Sequence, residues 1–185
     1  MSVVGICTPM SVIGISRLPL MSLPCSNFTV VFDACVLYPS ILRDLLVTLA
    51  KAGLFRAKWT DDIHDEWIRS PLINRPDLSP EILNRTRRLM DSAVLDALID
   101  PARYRPLISS FILPDPGDRH VLAAAVASQA EMIVTFNLKD FPESALAPHG
   151  VTAGLSGPFD SSPEGGLIAL LSTLTPSAAI YSCLE

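Results

Sequence analysis

"FILPDPGDRHVLAAAV", residues 111–126, is the stretch on which the reading of the chain turns. An apolar run ends at Pro114, two aspartates follow at Asp115 and Asp118, and an alanine-rich segment begins at once. That segment predicts a helix from Asp118 to Ala130, with Asp118 placed to cap its first amides. The next residues, "EMIVTF" (131–136), form a short β-branched run that predicts a buried strand. One acid is enough to cap a helix. The second asks for another reason, and for the other acids that face it.

Upstream, "FTVVFDACVLYPS" (28–40) opens the organised part of the chain. Phe28 to Phe32 predicts a strand, with Asp33 at its carboxyl end. Pro39 suits the first turn of a helix through "SILRDLLVTLAKAG", and Gly53 stops it. "LFRAKWT" predicts a second strand, and Thr60 or Asp61 caps a helix through "DDIHDEWIRS" that should end before Pro71. Ser79, Pro80 and Glu81 announce another helix, whose Ile82, Leu89, Ala93 and Ala97 fall near one face. "PLISSFILP" (106–114) fits a further strand. Strands alternating with helices predict an α/β fold of three layers, α/β/α, around a central, mostly parallel sheet.

The organised region is read as residues 28–150, with an N-terminal extension over 1–27 and a C-terminal extension over 151–185. Arg17 is the only charge in the first 27 residues, which lack the basic start of a signal peptide. In the tail, "GLIALLSTL" is a short apolar helix candidate. No unbroken run of about 18 apolar residues predicts a membrane span.

With 49% hydrophobic and 18% charged residues in 185, the chain is not a disordered polymer. Its formal net charge of −5 argues against a protein that simply coats nucleic acid, but leaves room for a nuclease with an acidic site. The four cysteines, Cys7, Cys25, Cys35 and Cys183, form no CxxC pair, so neither a zinc site nor a disulfide framework is expected, and a reducing, cytoplasmic setting is. No GxxxxGK loop or nucleophile elbow is present.

In parallel sheets ligands bind beyond the carboxyl ends of the strands. Asp33 follows one predicted strand, Asp115 and Asp118 another, and Asn137, Lys139 and Asp140 a third; Glu66 lies on an intervening helix. Carboxylates gathered in one cleft raise one another's pKa unless a cation compensates, and Mg²⁺ or Mn²⁺ suits oxygen donors. Two such ions about 3.5–4 Å apart activate a water and stabilise the leaving oxygen of a phosphodiester. Each acid also has a plainer role open to it: Asp33 as a turn former, Asp118 as a cap, Glu66 as a solvated helix residue.

"VVFDACVLYPS", "DDIHDEWIRS" and "LPDPGDRHVLAAAVASQAEMIVTFNLKDFP" together resemble the PIN-domain family, the fold of VapC-type toxin ribonucleases, over about residues 28–150. The resemblance implies a metal-dependent cleft that cuts single-stranded RNA. It matches Asp33, Glu66 and Asp118 to the family's first three acids, with Asp115 as a companion metal ligand. The fourth acidic position is held by Asn137, which brings no charge, and Asp140 is a candidate substitute. Thr135 matches the family's hydroxyl near the site. The resemblance also implies a small antitoxin that occludes the cleft, and homodimers are frequent in the family.

Arg85, Arg88, Arg119 and Lys139 are candidates for touching RNA phosphates, although helical cations are commonly a solvated face. Trp59 and Trp67 fit core positions better than base-stacking ones, and His64 and His120 are expected to point away from the site acids. Two rival readings remain: a degenerate PIN fold that binds RNA or protein without cutting, and an Asp-dependent phosphotransfer domain. The second lacks the aspartate two residues after Asp33, where Cys35 stands.

Overall fold

Thr29–Phe32 forms β1, and all four of its residues are buried, as a strand covered on both faces must be. In this computed structural model the described residues are 28–74 and 78–154; most of the two expected extensions, including the tail helix candidate, lies outside them. A single turn of helix, α1 (Ala34–Leu37), leads to α2 (Ser40–Lys51), entered through Pro39 and followed by Gly53 at φ +79°. That left-handed backbone favours glycine. β2 (Arg56–Lys58) then pairs parallel to β1. α3 (Asp61–Asn74) begins with the Thr60 hydroxyl accepting from the Ile63 amide at 3.1 Å. α4 (Pro80–Ala93) begins with Ser79 accepting from the Glu81 amide at 3.2 Å.

α5 (Pro101–Tyr104) runs into a 3₁₀ segment, Arg105–Ser110, and a second 3₁₀ turn, Pro116–Asp118, precedes α6 (Arg119–Ser128). β3 (Met132–Val134), α7 (Glu143–Leu146) and β4 (Thr152–Gly154) complete the order. The sheet is parallel throughout, in the order β2-β1-β3-β4. Leaving β1 the chain moves one way across the sheet, and from β2 onward it moves the other way. Right-handed crossovers therefore put α2 on one face and α6 and α7 on the other, giving the three layers. The crevice between β1 and β3, where these directions diverge, is the expected place for a site.

The core is largely apolar, with one polar network around two tryptophans. Phe32 packs edge-on to Phe55 at 5.8 Å and stacks on Trp59 at 6.3 Å. Trp59, Trp67 and His64 are fully buried. The Trp67 indole N–H donates to His64 Nδ1 at 2.8 Å, His64 Nε2 lies 3.1 Å from Asp91, and the Trp59 indole donates to the same Asp91 oxygen at 2.8 Å. This chain ties α3 to α4. Arg43 covers Trp67 at 4.9 Å and donates to the Leu37 carbonyl at 3.0 Å.

Four expectations are corrected. Residues 106–114 form no strand: the 3₁₀ segment instead packs Leu107 and Ile108 along α6. α3 does not stop before Pro71 but includes it, and the Ser70 hydroxyl donates to the Glu66 carbonyl at 3.1 Å in that last stretch. On α4 the buried residues are Leu83 and Met90, whereas Ile82 and Leu89 are 60% and 58% exposed. Finally, the sheet gains β4, which begins beyond residue 150.

Candidate metal centre

Asp33 leaves the carboxyl end of β1 only 4% exposed, and its amide donates to the Val134 carbonyl at 3.1 Å, tying it to the end of β3. Two side chains fix its carboxylate. The Thr135 hydroxyl donates to Oδ2 at 2.6 Å and the Cys35 thiol donates to the same oxygen at 3.1 Å. The Thr135 hydroxyl also accepts from the Asn137 amide at 2.9 Å, and Cys35 Sγ accepts from the Phe136 amide at 3.3 Å. Burial, with Asp33 adding to it, pushes the Cys35 thiol up to about 12, so Cys35 is a hydrogen-bond donor and no nucleophile.

The two aspartates of the deciding stretch divide the work. Asp115, not Asp118, does the capping: its Oδ1 accepts from the Gly117 amide at 2.7 Å. A Cβ at Gly117 would sit 3.0 Å from that oxygen and would press on the cap. Asp118 precedes α6 in helical backbone geometry (φ −83°, ψ −3°) and makes no capping bond, a correction to its expected role. Its Oδ2 is buried and has no hydrogen-bond partner. Burial first, then the charges of Asp33, Asp115, Glu66 and Asp140, raise its pKa from 3.8 to about 7.

Glu66 projects from α3 toward the same place. Burial and the Asp33 charge raise its pKa, while His120 and Arg69 oppose the rise. Asp33, Glu66, Asp115 and Asp118 thus lie close enough for their charges to act on one another. Asp140 joins them: one oxygen each from Asp115, Asp118 and Asp140 lie within 4.8 Å of one another. Asn137 itself donates to Asp140, so the uncharged residue holds the charged one in place.

A cleft of about 690 Å³ lies between Asp62, Asp65, Glu66 and Arg69 of α3 and the turn carrying Asp115, Asp118 and His120; Asp33 and Asp140 do not line it. Of the expected RNA contacts, Arg85 and Arg88 are exposed on α4 and do not line this cleft, because they lie on the face of α4 turned to solvent. Their neighbour Arg87 is engaged with Asp61 and Asp65. Lys139 is exposed in the turn with Asp140, and Arg119 Nε is buried without a partner.

Sequence reasoning missed Cys35 as a support of Asp33, Arg69 at the rim, and His120. His120 does not point away: its Nε2 lies 3.5 Å from Glu66 Oε2. The spacing of Asp62, Asp65, Glu66 and Arg69 was a legible signal, since residues three and four apart share a helix face. Nothing in the sequence signalled the direction of the His120 ring.

Fold and pocket together define an α/β protein with a carboxylate pocket at the switch point of its parallel sheet. The family model for the PIN domain matches residues 29–139, and the chain belongs to the PIN domain family. It is 64% identical over 36 residues to a Mycobacterium tuberculosis protein named "Putative ribonuclease VapC50", a match covering 20% of this chain and 21% of that one. A chain from the crystal structure of VapBC2 from Rickettsia felis, bound to a DNA fragment from their promoter, is similar at a TM-score of 0.45 and 17% identity. That similarity covers 70% of this chain and 100% of the other. No helix among the described residues is long and apolar enough to cross a membrane.

Proposed function

We propose that this chain is a divalent-metal-dependent endoribonuclease that cuts single-stranded RNA in the cytoplasm and serves as the toxin of a toxin–antitoxin pair. The observation that carries the reading is the Asp118 carboxylate. It caps nothing, its buried Oδ2 has no partner, and four other acids press on it. A helix start that needed only a cap would not tolerate this, because like charges in a half-buried cleft cost stability unless a cation joins them.

The donors present are carboxylate oxygens, which fit Mg²⁺ or Mn²⁺. Asp33, Glu66 and Asp118 would hold the ion, with Asp115 and Asp140 beside them. When bound, the ion supplies positive charge that draws in a phosphodiester and offsets charge growing on its oxygens. The chain's own residues do the rest. Thr135 and Cys35 both hold Oδ2 of Asp33 and so fix the orientation of its carboxylate. Asn137 keeps Asp140 close, which restores the charge that Asn137 lacks and favours cutting over mere binding. Arg69 at the rim offers a contact for an RNA phosphate. The name of the Mycobacterium tuberculosis relative agrees with a ribonuclease.

The test is cleavage of single-stranded RNA with Mn²⁺, with Mg²⁺ and with EDTA, by the natural chain and by Asp118→Asn. Cleavage should need an ion and should fall by roughly 100-fold or more in the variant. Equal cleavage in EDTA, or by both proteins, refutes the reading. An antitoxin would place an Arg or Lys against the same carboxylates, so its addition should abolish cleavage.

A further inference from the structure

His120 stands at the start of α6 with its ring turned back over the preceding turn. Its Nδ1 lies 2.7 Å from the Gly117 carbonyl. A carbonyl only accepts, so Nδ1 carries the hydrogen, and a cation bound at Nε2 would meet that nitrogen's lone pair. That lone pair is buried and without a hydrogen-bond partner, and the nearest acid oxygen is Glu66 Oε2 at 3.5 Å. The separation is an ion-pair distance, and no hydrogen bond joins the two atoms. Two electron-rich atoms held this way, one of them on a rigid ring, are complementary to a cation placed between them. The turn that aims the ring is itself fixed by the Asp115–Gly117 hydrogen bond, so the aim is built into the backbone.

We propose that His120 Nε2 is a ligand of the cation that Glu66 binds, and that this nitrogen makes the centre prefer Mn²⁺ over Mg²⁺. The inference rests on the metal-dependent reading above and adds a specificity-determining residue to it. The physical basis is donor type. Carboxylate oxygens serve both ions, whereas an imidazole nitrogen suits transition metals and contributes little to Mg²⁺. The hydrogen on Nδ1, engaged with the Gly117 carbonyl, orients the ring as a metal-binding histidine requires.

The experiment is calorimetric titration of the full chain with MnCl₂ and, separately, with MgCl₂, for the natural protein and for His120→Asn. Asparagine keeps a donor near the Nδ1 position and deletes Nε2. Melting in EDTA checks folding of the variant, and His120→Gln takes its place if it does not fold. The Mn²⁺ dissociation constant should rise by roughly tenfold or more, while that for Mg²⁺ changes by less than about twofold. If both constants rise together, or neither moves, the assignment of Nε2 as a ligand is overturned while the metal-dependent reading stands. If the natural protein binds neither ion, that reading falls and this one with it.

Discussion

Asp118 gives the sharpest test, because opposite interpretations predict opposite signs for one substitution. A capping or packing aspartate stabilises the protein, and its neutral replacement should cost stability. An aspartate held among like charges for the sake of an ion does the reverse when the ion is absent. Its pKa rises from 3.8 to about 7, and each unit is worth about 1.4 kcal/mol between the two protonation states. The full shift would correspond to about 4 kcal/mol. Solvent screening of a half-buried group reduces this to about 2 kcal/mol. Because the folded protein holds this proton more tightly than the unfolded chain, the penalty is absent below pH 3.8 and grows until about pH 7. Above that it is constant.

In EDTA at pH 8, then, Asp118→Asn should melt above the natural protein by about 4–8 °C. The gap should shrink as pH is lowered toward 4. Mn²⁺ should raise the melting temperature of the natural protein and leave that of the variant nearly unchanged. Differential scanning calorimetry across pH 4–8, with and without ion, reads all of this. A variant less stable than the natural protein at pH 8 in EDTA would refute the reasoning, because it would make Asp118 a structural residue.

Other outcomes follow from the same geometry. Asp91→Ala strips partners from the Trp59 indole and from His64 at once, and should lower stability by about 2–4 kcal/mol in urea titration. Burial lowers the His64 pKa from 6.5, against the pull of Asp91 and Asp61 and with help from Arg87. The stability tied to neutral His64 is therefore complete above pH 6.5 and lost as pH falls below it, so in the Asp118→Asn background unfolding should become easier on acidification. Asp91→Ala removes that upward pull, leaves burial less opposed, and should steepen the slope. Cys35, pushed up to about 12, should alkylate with iodoacetamide at pH 8 at least about 100-fold more slowly in the folded protein than in urea, as followed by peptide mass spectrometry. Thr135→Val removes the shorter hydrogen bond to Asp33 and should weaken Mn²⁺ binding by roughly 10–100-fold without unfolding the chain.

Much of this centre could be read from spacing because its acids sit where α/β topology puts them. Asp33 follows a run too apolar to be anything but a buried strand, and Thr135 and Asn137 follow another. What stayed hidden depends on short-range backbone choices. The run 106–114 has the length and apolarity of a strand, and only its one-sided packing on α6 selects a 3₁₀ path. β4 is three small residues, Thr152–Gly154, with almost no pattern, and it exists because β3 offers it an edge. Asp118 looked like a cap because it stands where a cap stands. The tighter turn closed by Asp115 had already met that need. For His120, sequence gives the residue but not the ring direction, which depends on the carbonyl of Gly117, two residues before the helix begins.

The paired grip of Thr135 and Cys35 on a single oxygen of Asp33 has a kinetic meaning. A carboxylate that swings freely must be frozen at the moment of capture, and each encounter that finds it misaligned is wasted. Here the freezing happens when the polypeptide first folds. On the metal-dependent proposal, incoming ions would meet a rigid acceptor, and their arrival rate should depend on diffusion and field strength rather than on waiting for a side chain to turn.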